Sequence, residues 1–225
     1  MIFKYREAGP LMTNCYIIGD EKSRDAVVVD PGGDAESILL LLKEDDLNLK
    51  AILNTHSHFD HVGGNAGLKK ATGADIYIHP SEMEMLTQMS ALAEQWGIPF
   101  EPSPPADKGL EDWDVFEVGE LKIEVMHTPG HSPGGVSFNM KGYPMVLSGD
   151  CLFQFSIGRT DFPGASHALL IKSIKERLLS LPDETEVYSG HGPPTMVGRE
   201  KKYNPFLQEG GPGGADQGGS NIIIP

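Results

Sequence analysis

One stretch of twelve residues, 54–65 with the sequence NTHSHFDHVGGN, restricts the fold and chemistry of this chain more than any other. Four of its side chains, His56, His58, Asp60 and His61, can bind a metal ion. Imidazole nitrogens suit zinc, iron and nickel, and a carboxylate adds a hard oxygen ligand. An apolar run precedes the stretch and a glycine pair follows it. This predicts a strand-to-helix loop, where a rigid scaffold commonly holds functional groups.

The spacing of these four side chains favours two neighbouring metal positions over one. Successive side chains of an extended segment alternate in direction, so His56 and His58 project to the same side. Asp60 and His61 then turn toward an adjacent volume. The pattern differs from the helical zinc-protease motif, which places His at i and i+4 with Glu between them. The alternative, a histidine-rich surface loop, is disfavoured because further candidate ligands follow downstream.

Three further candidate ligands, His131, Asp150 and His191, each stand directly beside a glycine where a strand is predicted to end. With the first stretch they give five histidines and two aspartates, more than one zinc ion needs. Two cations that share one carboxylate would use the whole set and leave room for a hydroxide. The predicted ligands are His56, His58 and His131 for one cation, Asp60, His61 and His191 for the other, and Asp150 as the bridge.

Two further polar residues have open interpretations. Asp30 closes a predicted strand just before a glycine turn, so it either reaches the metal site from behind the ligands or hydrogen-bonds only the turn. His127 precedes a Pro-Gly turn and either supports a ligand or is packed away from the site. The sequence leaves both pairs of alternatives standing.

Charge and cysteine content narrow the class of protein. The chain has 225 residues, with 32 acidic and 18 basic side chains for a formal charge of −14. This argues against nucleic-acid binding, which normally needs a basic patch.

No apolar run approaches the roughly 18 residues of a membrane span, so no membrane association is expected. Cys15 and Cys151 form no disulfide framework, and the N-terminal residues lack a signal-peptide core, so we expect a cytoplasmic setting.

Local patterns predict one mixed α/β domain over residues 1–207 and a glycine-rich tail over residues 208–225. Strands are predicted at residues 14–19, 26–30, 50–54, 75–79, 113–118, 121–126, 136–140, 145–147 and 186–188. Helices are predicted at residues 34–43, 65–71, 80–96, 166–179 and 197–204, with Asp34 capping the first. No internal repeat is present, and nothing in the sequence predicts the oligomeric state.

The motifs together resemble the metallo-β-lactamase superfamily, whose signature is His-x-His-x-Asp-His followed by a distant His, Asp and His. The resemblance covers about residues 1–207. Within the superfamily the chain looks most similar to the glyoxalase II group, also called hydroxyacylglutathione hydrolases. The segments that carry this likeness are THSHFDHVGGN (55–65), HTPGHS (127–132), SGD (148–150) and GHGPPT (190–195). The resemblance implies a four-layer αββα sandwich with the site at one edge of its two sheets.

The chain also departs from that group. Larger glyoxalase II enzymes append a helical domain that helps to bind glutathione, and we expect a short form that lacks it. Arg159 matches a basic residue that the group places nine positions after the bridging Asp, whereas Asp161 and Pro193 stand where the group has tyrosines. We therefore expect few contacts with glutathione to remain. Arg159 either holds a substrate carboxylate or forms a surface ion pair with Asp161.

The resemblance implies a binuclear metal-dependent thioester hydrolase that cleaves S-D-lactoylglutathione or a related small acyl thioester to acid and thiol. Two Zn²⁺ per chain are expected, with iron or manganese as alternatives, and Asp60 is expected to orient the attacking hydroxide. A thiol of pKa about 8.5 can leave without a strong general acid, which makes a thioester an easier substrate than an amide.

A second enzyme of the same fold is the alternative. The resemblance extends to a mononuclear iron persulfide dioxygenase, which has a segment similar to Gly-Arg-Thr-Asp-Phe, here residues 158–162. That enzyme leaves the second metal position unused. The Gly-Gly-Asn after His61 and the complete second ligand set favour the hydrolase.

Overall fold

Two six-stranded β-sheets pack face to face, and helices cover the outer face of each. The structure is a computed structural model that describes residues 1–88, 97 and 101–208. The arrangement confirms the predicted four-layer αββα sandwich. The tail predicted from residue 208 onward lies outside the described residues except for Gln208 itself.

The N-terminal half forms the first sheet, in the order β1-β2-β3-β4-β5-β6. Its first three strands are antiparallel neighbours, and β3 to β6 run parallel. The strands are β1 (Ile2–Ala8), β2 (Thr13–Gly19), β3 (Asp25–Val29), β4 (Asn48–Leu53), β5 (Asp75–Ile78) and β6 (Lys108–Gly109). The helices are α1 (Ala35–Glu44), α2 (Phe59–Val62), α3 (Asn65–Thr72), a 3₁₀ turn (Pro80–Glu82) and α4 (residues 83–88).

The C-terminal half forms the second sheet, in the order β14-β13-β10-β9-β8-β7. Only β10 and β13 pair in parallel there. The sheet strands are β7 (Val115–Val118), β8 (Leu121–His127), β9 (Val136–Met140), β10 (Met145–Gly149), β13 (Glu186–Ser189) and β14 (Thr195–Met196). The other elements are a hairpin of β11 (Leu152–Phe153) and β12 (Ser156–Ile157), α5 (His167–Ser173), a π-helical turn (Ile174–Leu178) and α6 (Val197–Tyr203).

Side-chain alternation explains how the layers hold together. Ile18 and Val27 face the second sheet, while their neighbours Ile17 and Val28 face the helices, and all four are fully buried. Burial on both faces accounts for the continuous apolar runs that predicted these strands. On the far side of the molecule α5 and its π-helical extension cover the second sheet in the same way.

Several elements differ from the sequence prediction. The edge strand β1 is not predicted because its polar residues leave it only half buried, and the two-residue strands β11, β12 and β14 are too short for a pattern. Asp34 occupies the cap position of α1, but its backbone is left-handed and its carboxylate accepts a hydrogen bond from the Gly9 nitrogen instead. The helix predicted from Pro80 begins as a 3₁₀ turn, and its predicted end lies outside the described residues.

Strand direction brings the candidate site together. Strands β3, β4, β10 and β13 all end at the same edge of the sandwich, and β8 runs in the same sense as β10 through the intervening antiparallel β9. The segments after these strands therefore meet there, as the loops at the carboxyl ends of parallel strands do. No helix among the described residues is both long and apolar enough to cross a membrane.

Candidate metal centre

Every side chain predicted as a metal ligand lies at this edge. His56 and His58 follow β4, His131 lies between β8 and β9, Asp150 follows β10, and His191 follows β13. Asp60 and His61 differ from the prediction, because they lie in the single helical turn α2 and not in a loop. The candidate atoms form groups in which all atoms lie within 4.8 Å of one another. The groups are His56, His58 and His131; His56, His61 and Asp150; and Asp60, His61 and His191.

We call His56, His58 and His131 the first cluster. The Nδ1 atom of His58 lies 3.0 Å from Nε2 of His56 and 2.9 Å from Nε2 of His131. Zinc–nitrogen bonds of about 2.0–2.1 Å in tetrahedral geometry separate two ligand nitrogens by about 3.3 Å. Both separations are a few tenths of an ångström below this value, and all three nitrogens lie within 4.8 Å of one another, so they can surround a single cation.

In His56 and His131 the hydrogen bond at Nδ1 determines that the other ring nitrogen, Nε2, is the one that can bind a cation. Nδ1 of His131 donates to the Arg159 carbonyl oxygen at 2.8 Å. Nδ1 of His56 lies 3.0 Å from Oγ1 of Thr55, which itself donates to Asp30 at 2.6 Å and so accepts from the ring. Both Nε2 atoms then present lone pairs to His58, which can supply at most one hydrogen between them. Converging lone pairs of this kind fit a cation.

Asp60, His61 and His191 form what we call the second cluster. Nε2 of His191 lies 3.0 Å from Oδ2 of Asp60, and Nε2 of His61 lies 3.6 Å from the same oxygen. Nδ1 of His61 donates to Asp30 at 3.0 Å, so Nε2 is the atom that carries the lone pair when the ring is neutral. That buried Nε2 has no hydrogen-bond partner. Buried polar atoms are normally paired, so this orphan also fits a cation.

Asp150 stands between the two clusters. Its Oδ1 lies 3.4 Å from Nε2 of His61, and its Oδ2 lies 3.6 Å from Nε2 of His131. Oδ1 is buried without a hydrogen-bond partner. One carboxylate oxygen therefore faces each cluster, which is the arrangement that a bridging ligand needs.

Protonation states in the first cluster also suit a cation, which needs deprotonated ligands. Burial, reinforced by the neighbouring imidazoles, lowers the pKa of His56 well below its usual range and that of His58 to about 4. Burial by itself raises the pKa of Asp150, but the nearby His61, His191 and His131 outweigh it and hold that pKa well below its usual range. In the second cluster burial by itself lowers the pKa of His61 and His191, but the carboxylates of Asp60 and Asp150 outweigh it and raise both. A cation bound there would displace those protons.

Asp30 supports the ligands and does not serve the turn alone. One of its oxygens accepts from the Thr55 backbone nitrogen at 2.7 Å, and the other contacts Thr55 Oγ1 and His61 Nδ1. Through these contacts it orients one histidine of each cluster. The sequence left this role open because it depends on the parallel pairing of β3 with β4, which sets Asp30 beside Thr55.

His127 has the packed role. Its ring stacks on that of His79, with centroids 4.4 Å apart and planes 3° from parallel, and its Nε2 donates to the Pro133 carbonyl oxygen. His79 Nδ1 accepts from the Ser81 nitrogen and so caps the following 3₁₀ turn.

Arg159 is engaged with its own neighbours. Its guanidinium forms two hydrogen bonds with the Asp161 carboxylate, at 3.0 and 2.7 Å, and lies 4.5 Å above the Phe162 ring. The side chains of Arg159 and Asp161 are 62% and 59% exposed. The Phe162 ring is 5.1 Å from that of His58, so this segment borders the first cluster.

Three supporting residues were not predicted from the sequence. Asn14 donates to the carbonyl oxygens of Ser189 and Gly192, and the Tyr16 hydroxyl donates to Ser189, so strand β2 holds the loop that carries His191. Glu82 is fully buried and accepts hydrogen bonds from two loops of the first cluster. In the sequence these residues stand at positions where buried, mostly apolar residues recur periodically. That pattern predicts that a side chain is buried, but it does not identify the residue that the side chain contacts.

A family model for the metallo-beta-lactamase superfamily matches residues 8–191. The chain belongs to this superfamily. A probable metallo-hydrolase, YqgX of Bacillus subtilis, is 40% identical over 210 residues, which cover 92% of this chain and 98% of that protein. Hydroxyacylglutathione hydrolase GloC of Haemophilus influenzae is 37% identical over 196 residues, which cover 86% of this chain and 92% of that protein.

Solved structures show the same fold with different attributed chemistries. The BLEG-1 B3 metallo-beta-lactamase superposes with a TM-score of 0.86 at 41% identity, over 92% of this chain and all of the other. TTHA1623 in a di-iron-bound form gives 0.82 at 42% identity, with coverages of 89% and 98%. ETHE1 from Myxococcus xanthus gives 0.78 at 30% identity, with coverages of 92% and 84%. The fold is therefore firm, while the activities that the names of these similar proteins give are not all the same.

Proposed function

We propose that this chain is a binuclear metal-dependent hydrolase of a small acyl thioester, with S-D-lactoylglutathione or a related compound as the substrate. The observation that carries the proposal is the second cluster, which is complete and shares Asp150 with the first. The likeness to a hydroxyacylglutathione hydrolase supports the thioester class. The acidic surface and the cysteines, which are free and buried, support a small-molecule reaction in the cytoplasm.

The proposed ligands are those of the two clusters with Asp150 between them, and zinc is the proposed metal, with iron or manganese as alternatives. Bound divalent cations would lower the pKa of a water molecule to about 7 and polarise a carbonyl oxygen. We expect elemental analysis of the purified protein to find about two cations per chain, because seven ligands exceed what one zinc needs. A stoichiometry that stays at one after reloading with excess metal would contradict the binuclear centre.

The protein's own contribution begins with Asp60. Its Oδ2 is fixed by Thr13 Oγ1 at 3.2 Å and by His191 Nε2 at 3.0 Å. Burial alone raises the pKa of Asp60, but His61 and His191 outweigh it, so the carboxylate is ionised at neutral pH. An ionised, immobilised carboxylate can accept a hydrogen bond from the attacking water and direct its lone pair toward the thioester carbon.

The leaving group needs little help from the protein. A thiol of pKa about 8.5 can leave as the thiolate without being protonated, so no general acid is required near the sulfur atom. Phe162 offers an apolar surface beside His58, and we propose that Arg159 holds a carboxylate of the substrate at the rim.

Replacing Arg159 by Ala is expected to raise KM for S-lactoylglutathione with little change in kcat, because the contact lies away from the reacting carbon. Charge-assisted hydrogen bonds contribute about 1.5–3 kcal/mol, and exchange out of the exposed Asp161 pair costs about 0–1 kcal/mol. The net loss of about 0.5–3 kcal/mol corresponds to about a 2- to 150-fold increase in KM. Steady-state kinetics give both constants, and Asp161→Ala, which frees the guanidinium, is the matched variant that should lower KM. An unchanged KM in both variants would remove Arg159 from substrate binding.

An iron-dependent persulfide dioxygenase is the second candidate, and the likeness to ETHE1 at 30% identity favours it. The two functions separate in a paired assay on the same preparation. Thioester hydrolysis is followed with S-lactoylglutathione, and oxygen uptake is followed with glutathione persulfide after loading with iron(II). The hydrolase is expected to cleave the thioester and consume no oxygen. Oxygen uptake without thioester cleavage would replace the proposed function with the dioxygenase.

A further inference from the structure

Glu82 is a carboxylate with no exposed surface that lies outside the set of candidate ligands. Its Oε2 accepts hydrogen bonds from the Ser57 backbone nitrogen at 3.1 Å and from Ser57 Oγ at 2.5 Å. Its Oε1 accepts from the Gly134 nitrogen at 2.7 Å. Buried carboxylate oxygens are costly unless they are hydrogen-bonded, and both oxygens of Glu82 accept hydrogen bonds from loops of the first cluster.

The two residues that Glu82 contacts belong to different loops of the first cluster. Ser57 stands between His56 and His58, and Gly134 follows His131 by three residues. These loops are separated by more than seventy residues of sequence and come from different sheets. One carboxylate therefore links the two loops that carry the three histidines of the first cluster.

The surroundings hold Glu82 in one place. Leu86, on the helix that follows, is buried against Val62 of α2 and Ile78 of β5. A Cβ atom at Gly134 would lie 2.7 Å from Cγ of Glu82 and 2.7 Å from Nδ1 of His79, so only glycine lets this loop approach the carboxylate. The contact is thus specific on both sides.

We propose that Glu82 is a positioning residue for the first metal position, which fixes the separation between the loop of His56 and His58 and the loop of His131. The inference rests on the proposed metal centre and extends it to a residue that binds no cation itself. The second cluster depends on other supports, since Asn14 and Tyr16 hold the loop of His191. Loss of Glu82 therefore weakens one metal position and spares the other.

The test is Glu82→Gln, measured by zinc titration against a competing chromophoric chelator in two backgrounds. His191→Ala disables the second cluster, and His58→Ala disables the first. A glutamine has one acceptor oxygen, so its NH₂ group must oppose the donor of one loop. We expect zinc affinity to fall about 10- to 100-fold in the His191→Ala background, the usual range for groups that orient ligands, and to stay unchanged in the His58→Ala background.

Glu200→Gln is the matched control. Glu200 is also fully buried and accepts from Thr195 Oγ1, the Phe155 nitrogen and Asn204 Nδ2, none of which is a candidate ligand. It should cost comparable thermal stability without changing the ratio of affinities between the two backgrounds. If Glu82→Gln fails to fold, Ser57→Ala removes one donor to the same carboxylate and should lower affinity in the same background by a smaller factor.

Equal losses in both backgrounds, or none in the His191→Ala background, would overturn the role of Glu82. The proposed function is judged on a separate measurement, since an unmodified protein that binds no zinc or cleaves no thioester counts against that function. The ratio between backgrounds bears on Glu82 alone.

Discussion

Asp60→Asn is expected to lower turnover of the acyl thioester by about 10²- to 10⁴-fold, the range that a positioned acid–base group contributes. The amide of asparagine carries no negative charge, so it accepts a hydrogen bond from the attacking water more weakly than the carboxylate does. It also places an uncharged group 3.0 Å from His191 Nε2 and 3.6 Å from His61 Nε2, where a carboxylate would bind a cation. We therefore expect the loss of turnover to be accompanied by a metal content below two per chain. Steady-state hydrolysis and elemental analysis of the same preparation give both values.

Reloading separates the two effects of Asp60→Asn. If excess zinc restores the metal content but not the turnover, the carboxylate acts on the water as well as on the cation. Asp114→Asn is the control, because that exposed carboxylate accepts only the Glu111 backbone nitrogen at 2.8 Å among the contacts described. Turnover of Asp60→Asn within about twofold of the parent would mean that Asp60 has neither role.

Gly190→Ala is expected to damage the centre without removing any ligand. A Cβ atom at this position would lie 2.2 Å from Oδ1 of Asp150 and 2.6 Å from Cε1 of His61. Both side chains are buried or nearly so, and displacement of reacting groups by about 1 Å can cost about 100-fold in rate. We expect turnover to fall by about that factor, with a loss of about 1–3 kcal/mol in unfolding free energy from overpacking.

Gly192→Ala provides the contrast. Gly192 has φ +72°, and no atom lies within 4 Å of the point where a Cβ atom would stand, so alanine there meets backbone strain of about 1 kcal/mol but no contact. It should lose stability and keep its cations, whereas Gly190→Ala should lose the second cation first. Thermal unfolding with and without chelator, together with metal content, measures the difference. A Gly190→Ala protein with two cations and parental turnover would show that the centre tolerates the displacement.

The candidate ligands could be found from the sequence because each carries a local signal. His56, His58, Asp60 and His61 stand close together after an apolar strand, and His131, Asp150 and His191 each lie close to glycine where a strand ends. The long buried strands were predicted for the same reason, since alternation and β-branched residues act over a few positions. The division into two clusters with Asp150 between them also agrees with the geometry.

Other assignments needed contacts between segments distant in sequence. Asp30 reaches Thr55 and His61 only because β3 and β4 pair in parallel, and Glu82 joins two loops that come from different sheets. His127 turned out to stack on His79 and to lie apart from the ligands. The periodicity of apolar residues predicts none of these contacts, because it indicates that a side chain is buried but not which residue it touches.

The sequence by itself determined which residues are able to bind metal, where the principal strands run and which superfamily the chain resembles, because these depend on residue type and short-range spacing. Only the tertiary structure decided which carboxylates orient the histidines, that α2 carries Asp60 and His61, and that Arg159 pairs with Asp161. The physical reason is that hydrogen bonds between buried side chains are set by how the two sheets and their loops pack, and packing joins positions that no local pattern links.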